Sequence, residues 1–213
     1  MRRMVLLEFS HLPVGYEEVK YIQAAKRHYF DTGIIPTQQM TIFADYQLTR
    51  SGASQERYAV VFGVQQNDNG QPCFTIYVDY NESSEYVGCR TGNGNMLYSS
   101  NVKRDTDRHR LSLSFGKLIT DGIKSEADWF TWESITRTVW FFARNGYSVS
   151  GTTYAKLYSS KIFDNGILVR NFIPALDENK IPCVYDTVEG LAYYSLSGTF
   201  GYEKMDGTHI EPI

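Results

Sequence analysis

The sequence predicts an all-β protein, built as a sandwich or a barrel, and three observations predict this class. Roughly a dozen short segments have strand composition, and turn residues separate them at intervals of about 8–12 residues. Aromatic residues, which favour strands, make up 15% of the 213 residues. The best helix candidate, Glu126–Glu133, is long enough for a short helix only. Two facing sheets would bury these aromatic rings in a shared core.

Alternation of apolar and polar residues defines the strands of the first half. Thr41–Leu48 is the clearest, because its even-numbered residues are apolar while Phe43 and Asp45 lie on the opposite face. Arg110–Phe115 alternates in the same way, with its odd-numbered residues facing inwards. Tyr58–Val64 is apolar almost throughout, so we expect a strand buried on both faces. Further strands are predicted at Tyr16–Ile22, Cys73–Asp79, Tyr86–Arg90 and Met96–Val102.

A β-hairpin is predicted in the last third of the chain. Leu157–Phe163 and Ile167–Ile173 have strand composition, and the Asn165-Gly166 pair between them is the strongest short-range hairpin signal. Pro174 is expected to end the hairpin, because proline cannot donate a hydrogen bond to a ladder. Other strands of this part are predicted at Thr136–Ala143, Cys183–Tyr185 and Leu191–Ser195.

Two registers are open to this hairpin. A two-residue turn would set Lys161 opposite Arg170, and like charges directly opposite each other are unfavourable. A three-residue loop, with Gly166 in the left-handed region, sets Ile162 opposite Leu168 instead. We favour the three-residue loop because it pairs apolar residues and separates the charges.

Charge and segment composition narrow the possible classes of function. The net charge is only −3 and the basic residues are scattered, so we expect no nucleic-acid partner and no membrane insertion. No apolar run approaches the roughly 20 residues that span a bilayer. Glu8 interrupts the short apolar stretch near the start, so we expect no signal peptide and synthesis in a reducing cytosol. We predict a tether or edge segment over residues 1–11 and a single domain over residues 12–213.

Cysteine and histidine spacing predicts neither a disulfide framework nor a zinc site. Cys73, Cys89 and Cys183 are odd in number and widely spaced, which favours three packed thiols. The four histidines are dispersed and lack the spacing of metal ligands; they are His11, His28, His109 and His209.

No cofactor is predicted, but a structural calcium ion is left open. Calcium needs six or more oxygen ligands, which loops rich in Asp and Asn can supply. Turn chemistry explains each of the oxygen-rich segments equally well; they are Asp68-Asn69, Asn93 with Asn95, and Asp164-Asn165.

The order of several short phrases carries a family resemblance. LPVGYEEVKYI (residues 12–22) is followed by YFDTGI (29–34), and much later by YSSKI (158–162), LVRNFIPA (168–175) and YD (185–186). These phrases resemble the concanavalin A-like, LamG-type jelly-roll domains that are common in phage structural proteins and gut-bacterial surface proteins. The resemblance spans about Leu12 to Tyr202, and it departs from the family pattern in the turn at residues 24–28 and in the phrase at 183–186.

The resemblance implies a fold and a role. It implies a two-sheet antiparallel jelly-roll sandwich, without catalysis, that binds glycans or protein surfaces or packs into an assembly. We expect a phage virion protein, a decoration, fibre or tail adhesin, that forms a homo-oligomer with other virion proteins as neighbours and a host-surface glycan or protein as ligand. The alternative is a carbohydrate-binding protein on the surface of a gut bacterium.

A glycoside hydrolase is the third reading, because similar folds carry such enzymes. A retaining glycosidase needs two carboxyl groups about 5–5.5 Å apart. The Glu-x-Asp-x-x-Glu phrase of the glucanase relatives is absent from the sequence. Asp105 with Asp107 lies in a polar loop beside basic residues, while Asp177 with Glu178 and Glu82 with Glu85 fall in predicted turns. We therefore predict no catalytic residues.

Two tryptophans outside a clean strand pattern give the best candidate for a ligand site. Trp129 and Trp132 could stack against sugar rings while Glu126, Asp128 and Glu133 accept hydrogen bonds from hydroxyl groups. The alternative is that one of these tryptophans caps an end of the core. The third tryptophan, Trp140, is expected in the core, and the polar loop Arg50–Glu56 is a second, weaker candidate site.

Overall fold

All regular secondary structure in the described part of the chain is β-strand. The computed structural model describes residues 12–50, 58–67, 71–78, 85–146 and 148–213. Its strands are β1 (Glu17–Ala24), β2 (Phe30–Asp31), β3 (Met40–Leu48), β4 (Val60–Gln65), β5 (Cys73–Tyr77), β6 (Tyr86–Gly92), β7 (Leu97–Lys103), β8 (Arg108–Ser114), β9 (Lys117–Thr120), β10 (Ile123–Glu126), β11 (Trp140–Phe141), β12 (Arg144–Asn145), β13 (Ala155–Asp164), β14 (Ile167–Leu176), β15 (Pro182–Asp186), β16 (Leu191–Tyr193), β17 (Gly201–Lys204) and β18 (His209–Ile210). The segment 1–11, the loop after Arg50 and the Asp68-Asn69 turn lie outside the described residues.

The strands form two sheets. The larger sheet has the order β10-β9-β8-β3-β13-β1-β14-β15-β16, and β17 and β18 extend it from β1. The smaller sheet has the order β2-β11-β4-β5-β6-β7, and β12 also pairs with β4. The ladders are antiparallel except for the one between β12 and β4. This is the predicted two-sheet antiparallel sandwich, and the arrangement agrees with a jelly roll.

An aromatic core joins the two sheets. Phe30 and Phe141 of the smaller sheet stack with ring centroids 5.1 Å apart. Phe172 of the larger sheet meets Phe30 edge-on at 5.4 Å, and Phe62 lies 5.3 Å from Phe141. All four side chains are fully buried. The aromatic content of the sequence therefore fills the space between the sheets, as predicted.

Strand β3, in the middle of the larger sheet, buries its apolar face and leaves its other face partly exposed. The even-numbered residues of β3, from Met40 to Leu48, are all buried, whereas Phe43 on the opposite face is 43% exposed. This is the predicted alternation. All six residues of β4 are buried, which confirms the prediction of a strand covered on both faces.

A second, smaller apolar cluster covers part of the outer face of the larger sheet. Ala175 of β14 and Cys183 of β15 pack there with Leu12. The Tyr16 ring meets the Tyr185 ring edge-on at 5.1 Å. The segment that leads into β1 therefore shields the β14–β15 side of this face. The β8–β3–β13 side of the same face carries the groove described below.

The β13–β14 hairpin forms, but the register that we favoured is wrong. Asp164 pairs with Ile167, so Asn165 and Gly166 form a two-residue turn in which both have positive φ, 49° and 77°. Both angles fit the turn that twists with a hairpin, and Asn-Gly is its preferred sequence. The left-handed conformation expected of Gly166 is confirmed.

A β-bulge separates the two charges that made this turn unattractive. Ile162 pairs with Arg170, so Val169 is the extra residue and Lys161 faces Asn171. The ladder with β13 ends at Phe172, before Pro174. The prediction that Pro174 ends the hairpin is nevertheless wrong for β14 itself, which continues to Leu176 because it pairs with β15.

Two further predictions of secondary structure are corrected. Glu126–Glu133 is not a helix: Glu126 ends β10, and the backbone N–H of Ala127 donates to the Gly116 carbonyl at 2.9 Å, outside any helical ladder. The predicted strand Thr136–Ala143 is reduced to β11, because Phe142 takes a positive φ of 66° that breaks the extended run.

Candidate functional site

The structure separates the two tryptophans of the predicted ligand loop. Trp129 is 52% exposed. Trp132 is half-buried, packs against the core and meets the Phe115 ring edge-on at 5.7 Å. Phe130 between them is buried, and its ring fills the space beside Gly94. Trp132 thus caps part of the core, while Trp129 is presented to solvent.

The three acidic residues predicted to accompany the tryptophans are exposed, and they lie on β10 and on the segment that follows it. Glu126 lies on the edge strand β10 and accepts a hydrogen bond from Lys124 at 2.6 Å. This hydrogen bond lowers the pKa of the Glu126 carboxyl. Asp128 and Glu133 are exposed on the segment that follows β10.

Trp132 lines the concave surface near this segment, whereas the three acidic residues do not. A shallow cavity of about 280 Å³ is lined by Trp132, Ile135, Gln38 and Gln39, among others. Amide groups next to an indole can bind a sugar, since the ring packs on its apolar face and the amides reach its hydroxyls. The sequence did not suggest the two glutamines, which come from the loop before β3.

A larger groove, of about 410 Å³, crosses the outer face of the larger sheet. It lies where β8, β3 and β13 run side by side. Register places Lys161 of β13 beside Phe43, and Arg110 of β8 beside Asp45. Ser159 faces Asp45 from the other side, and this small residue leaves room between the longer side chains. The groove is therefore a property of strand register and side-chain size.

Two phenylalanines provide the apolar surface of the groove. The Phe43 ring meets the Phe163 ring edge-on, with centroids 5.6 Å apart. Both line the groove. Together they place an exposed aromatic ring and a half-buried one side by side on the outer face of the sheet.

The charged groups beside these rings share one carboxylate. Arg108 donates to both oxygens of Asp45, at 2.6 and 3.0 Å, and Arg110 donates through Nε at 3.0 Å. The Arg108 guanidinium also lies 3.7 Å from the centre of the Tyr158 ring, within the range of a cation–π contact. Asp45 is thereby surrounded by positive charge.

A second, more polar depression of about 570 Å³ lies farther along β3 and β13. The Tyr21 hydroxyl donates to Glu203 at 2.8 Å and lies 3.1 Å from His209 Nδ1, while His209 Nε2 lies 2.7 Å from Glu211. The Lys156 ammonium lies 4.1 Å from the centre of the Tyr21 ring. The three outward residues Phe43, Asp45 and Gln47 span roughly 13 Å at the rise of a strand, so the two depressions belong to one continuous face.

Both carboxyl groups of this second depression are held ionised. Hydrogen bonds from Lys20 and Tyr21 lower the pKa of Glu203. A hydrogen bond with His209 lowers the pKa of Glu211. A general acid needs the opposite, a carboxyl group whose pKa is raised so that it carries a proton at neutral pH. This arrangement is therefore suited to binding and to holding β17 and β18 in place.

In the acidic pair Asp105 and Asp107, the Asp105 carboxylate is bonded to neighbouring protein groups and stabilises the loop before β8. Asp105 accepts a hydrogen bond from the Asp107 backbone N–H at 2.8 Å and lies 2.9 Å from His109 Nε2. The other ring nitrogen, His109 Nδ1, lies 2.7 Å from Asp121. His109 thus joins the loop before β8 to the turn after β9.

The predicted thiols are buried, and the described residues offer few metal ligands. Cys73, Cys89 and Cys183 are free and buried, as predicted. Among the described residues, no group of three or more His, Cys, Asp or Glu side chains could hold a metal ion. Two of the oxygen-rich segments considered for calcium make contacts within the protein. The Asp164 carboxylate accepts a hydrogen bond from Thr37, and the backbone of Asn93 forms an isolated β-bridge with Thr131.

Among the residues that the structure describes, no helix has an apolar stretch long enough to cross a membrane.

The groove was not predicted, although the sequence carries part of its signal. Phe43 and Asp45 alternate with the apolar residues of β3, and an aromatic residue at an outward position of an alternating strand is the one local clue. Arg110 and Lys161 come from strands that are distant in sequence, so only the sheet order brings them to Phe43.

No protein-family model matches the chain, and no curated protein matches it either.

Proposed function

We propose that this chain is a non-enzymatic attachment protein of a phage virion and that it binds host-surface glycans through the groove on β8, β3 and β13. The observation that carries the glycan-binding part is the exposed Phe43 ring beside Phe163, with Arg110 and Lys161 at its sides. Sugar rings pack their apolar faces on aromatic rings, and their hydroxyl groups bond to flanking polar side chains. The virion part rests on the sequence phrases that resemble phage structural proteins.

The carboxylates of this face favour binding over hydrolysis. A retaining glycosidase needs one ionised carboxylate and one protonated carboxyl group. Asp45 is bound to two arginines, and the lowered pKa values of Glu203 and Glu211 keep both as carboxylates at neutral pH. The proposal accordingly contains no catalytic step.

A glycan array with the purified chain tests the binding. We expect binding that Phe43→Ala reduces at least tenfold, since the variant removes the stacking surface. Ile123→Ala is the matched control, because Ile123 is exposed to a similar degree, 49%, on the edge strand β10 of the same sheet. Equal binding by the Phe43 variant and the wild type would place the ligand elsewhere, and no binding to any glycan would overturn the function.

The virion assignment and the absence of catalysis have separate tests. Immunogold labelling of purified phage particles with an antibody to this chain is expected to decorate the particles. Unlabelled particles, with the protein instead on a bacterial surface, would favour the gut-bacterial alternative.

Reducing-sugar release from any glycan that binds is expected to stay at background. Turnover that Glu203→Gln or Glu211→Gln removes would show that the polar depression is catalytic.

A further inference from the structure

We infer that the groove selects glycans that carry a carboxylate group, an inference that rests on the glycan-binding function proposed above. The charge on its walls is positive, although the whole chain has a net charge of −3. The lining contains the two cations Arg110 and Lys161 and the single carboxylate Asp45. Arg108 already holds both oxygens of that carboxylate. Arg108 therefore neutralises the anion of the groove, and the charges of Arg110 and Lys161 remain in excess for a ligand.

Lys161 is the clearer of these two cations. It is exposed, and within the part of the chain that the structure describes no carboxylate or other acceptor bonds to its ammonium group. The β-bulge at Val169 sets Lys161 opposite the neutral Asn171, so that no like charge lies directly opposite it on β14. An exposed ammonium group next to an exposed aromatic ring is suited to a ligand with an anionic group beside an apolar face.

Arg110 supplies the directional part of the recognition. Its side chain is 80% exposed, and only Nε bonds to Asp45. Its two terminal nitrogens face solvent, and a guanidinium group offers paired N–H donors that match the two oxygens of a carboxylate. Arg110 and Lys161 stand on opposite sides of β3, two strand spacings or roughly 10 Å apart across the sheet. They are also offset by two residues along it, because Lys161 lies beside Phe43 and Arg110 beside Asp45. A single sugar unit over Phe43 can thus reach either cation.

The observations favour a carboxylated sugar over a neutral one or a peptide. The exposed face of the Phe43 ring offers a planar apolar surface, which a sugar ring matches, with the Phe163 ring edge-on beside it, and the flanking cations are donors that require an acceptor. Uronic acids and sialic acids both combine a sugar ring with a carboxylate. They share the recognising chemistry, and the experiment below separates them.

The test compares matched pairs of oligosaccharides by calorimetry. One pair is an oligogalacturonide and its carboxyl-reduced form; the other is a sialylated oligosaccharide and its desialylated form. We expect the acidic member of one pair to bind at least tenfold more tightly, and the pair that shows the difference identifies the source of the carboxylate. Added salt should weaken this binding, because the cations are exposed.

Charge variants separate this inference from the proposed function. Lys161→Gln and Arg110→Gln should each reduce the preference for the acidic member about tenfold, the usual worth of one charge-assisted hydrogen bond. Arg27→Gln, an exposed residue in the turn after β1, is the control and should have no effect. If Phe43→Ala weakens acidic and neutral glycans equally while the charge variants change nothing, the glycan function stands and the carboxylate preference is wrong. If neither member of either pair nor any array glycan binds, both proposals fail.

Discussion

Arg108 holds both carboxylate oxygens of Asp45, with Nε–Oδ1 and Nη2–Oδ2 distances of 2.6 and 3.0 Å. The two residues lie on the neighbouring strands β8 and β3. Asp45 is only 8% exposed, so its charge would be costly without this partner. Arg110 adds a third hydrogen bond from the same strand as Arg108. One buried carboxylate therefore organises the cations on the outer face of the larger sheet.

Asp45→Ala should destabilise the protein by about 1–2 kcal/mol, because it removes charge-assisted hydrogen bonds and leaves two arginines side by side. Urea denaturation measures the change. Asp107→Ala is the control, since Asp107 is exposed and its carboxylate forms no ion pair with any residue that the structure describes. Equal midpoints for the two variants would show that the Asp45 cluster contributes nothing to stability.

Gly166→Ala should cost about 1 kcal/mol in folding free energy. The φ of Gly166 is 77°, and an added Cβ would meet no atom within 4 Å, so the cost is conformational and not steric. Gly146→Ala is the comparison, because Gly146 has no positive φ and its added Cβ would lie 3.6 Å from the nearest atom. The prediction is wrong if the two variants unfold at the same temperature.

Trp129→Ala and Trp132→Ala should differ in stability. Trp132 packs against Phe115 and the core, so its removal should cost about 1–3 kcal/mol. Trp129 is 52% exposed, and its removal should cost less than about 0.5 kcal/mol. Binding measured on the folded Trp129 variant then tests the predicted loop site directly. Loss of glycan binding in this variant, with Phe43→Ala unaffected, would move the site from the groove to the loop.

Local pattern explains which features the sequence could predict. The faces of β3 were predictable because alternation needs only consecutive residues. The register of β13 and β14 was not, because the bulge at Val169 depends on distant groups. Arg170, next to the bulge, is nearly buried and its side chain pairs with Asp186 and Glu189, which follow 16 and 19 positions later.

The candidate sites also differ in how far consecutive residues could predict them. Both Trp129 and Trp132 lie outside a strand pattern, so the sequence left open which of them caps the core. The packing of Trp132 needs Phe115 from a different turn. The groove needs three strands that lie between residues 40 and 164, and no single window of sequence contains its lining. Sheet order, set by long-range pairing, is therefore what creates the site.

The three thiols should resist modification in the native state. Burial raises the pKa of Cys73 and of Cys183 to about 12, and it also raises the pKa of Cys89. Because the reactive form is the thiolate, a disulfide reagent such as DTNB should label none of them at neutral pH in the folded protein. All three should react after unfolding in urea. Rapid labelling of the native protein would show that one of these strands opens readily.

Two histidines should titrate on opposite sides of their ordinary pKa of 6.5. Burial lowers the pKa of His28. Burial also lowers the pKa of His109, but hydrogen bonds to Asp105 and Asp121 outweigh it and raise that pKa overall.

These opposite shifts give the two histidines opposite effects on stability. His28 contributes stability that is present above pH 6.5 and is lost as the pH falls, because protonation favours the unfolded chain. His109 contributes stability that is present below pH 6.5 and is lost as the pH rises through its raised pKa. NMR titration of the imidazole resonances, assigned with His28→Gln and His109→Gln, measures both values. A His109 that titrates below His28 would show that the Asp105–His109–Asp121 bridge does not form in solution.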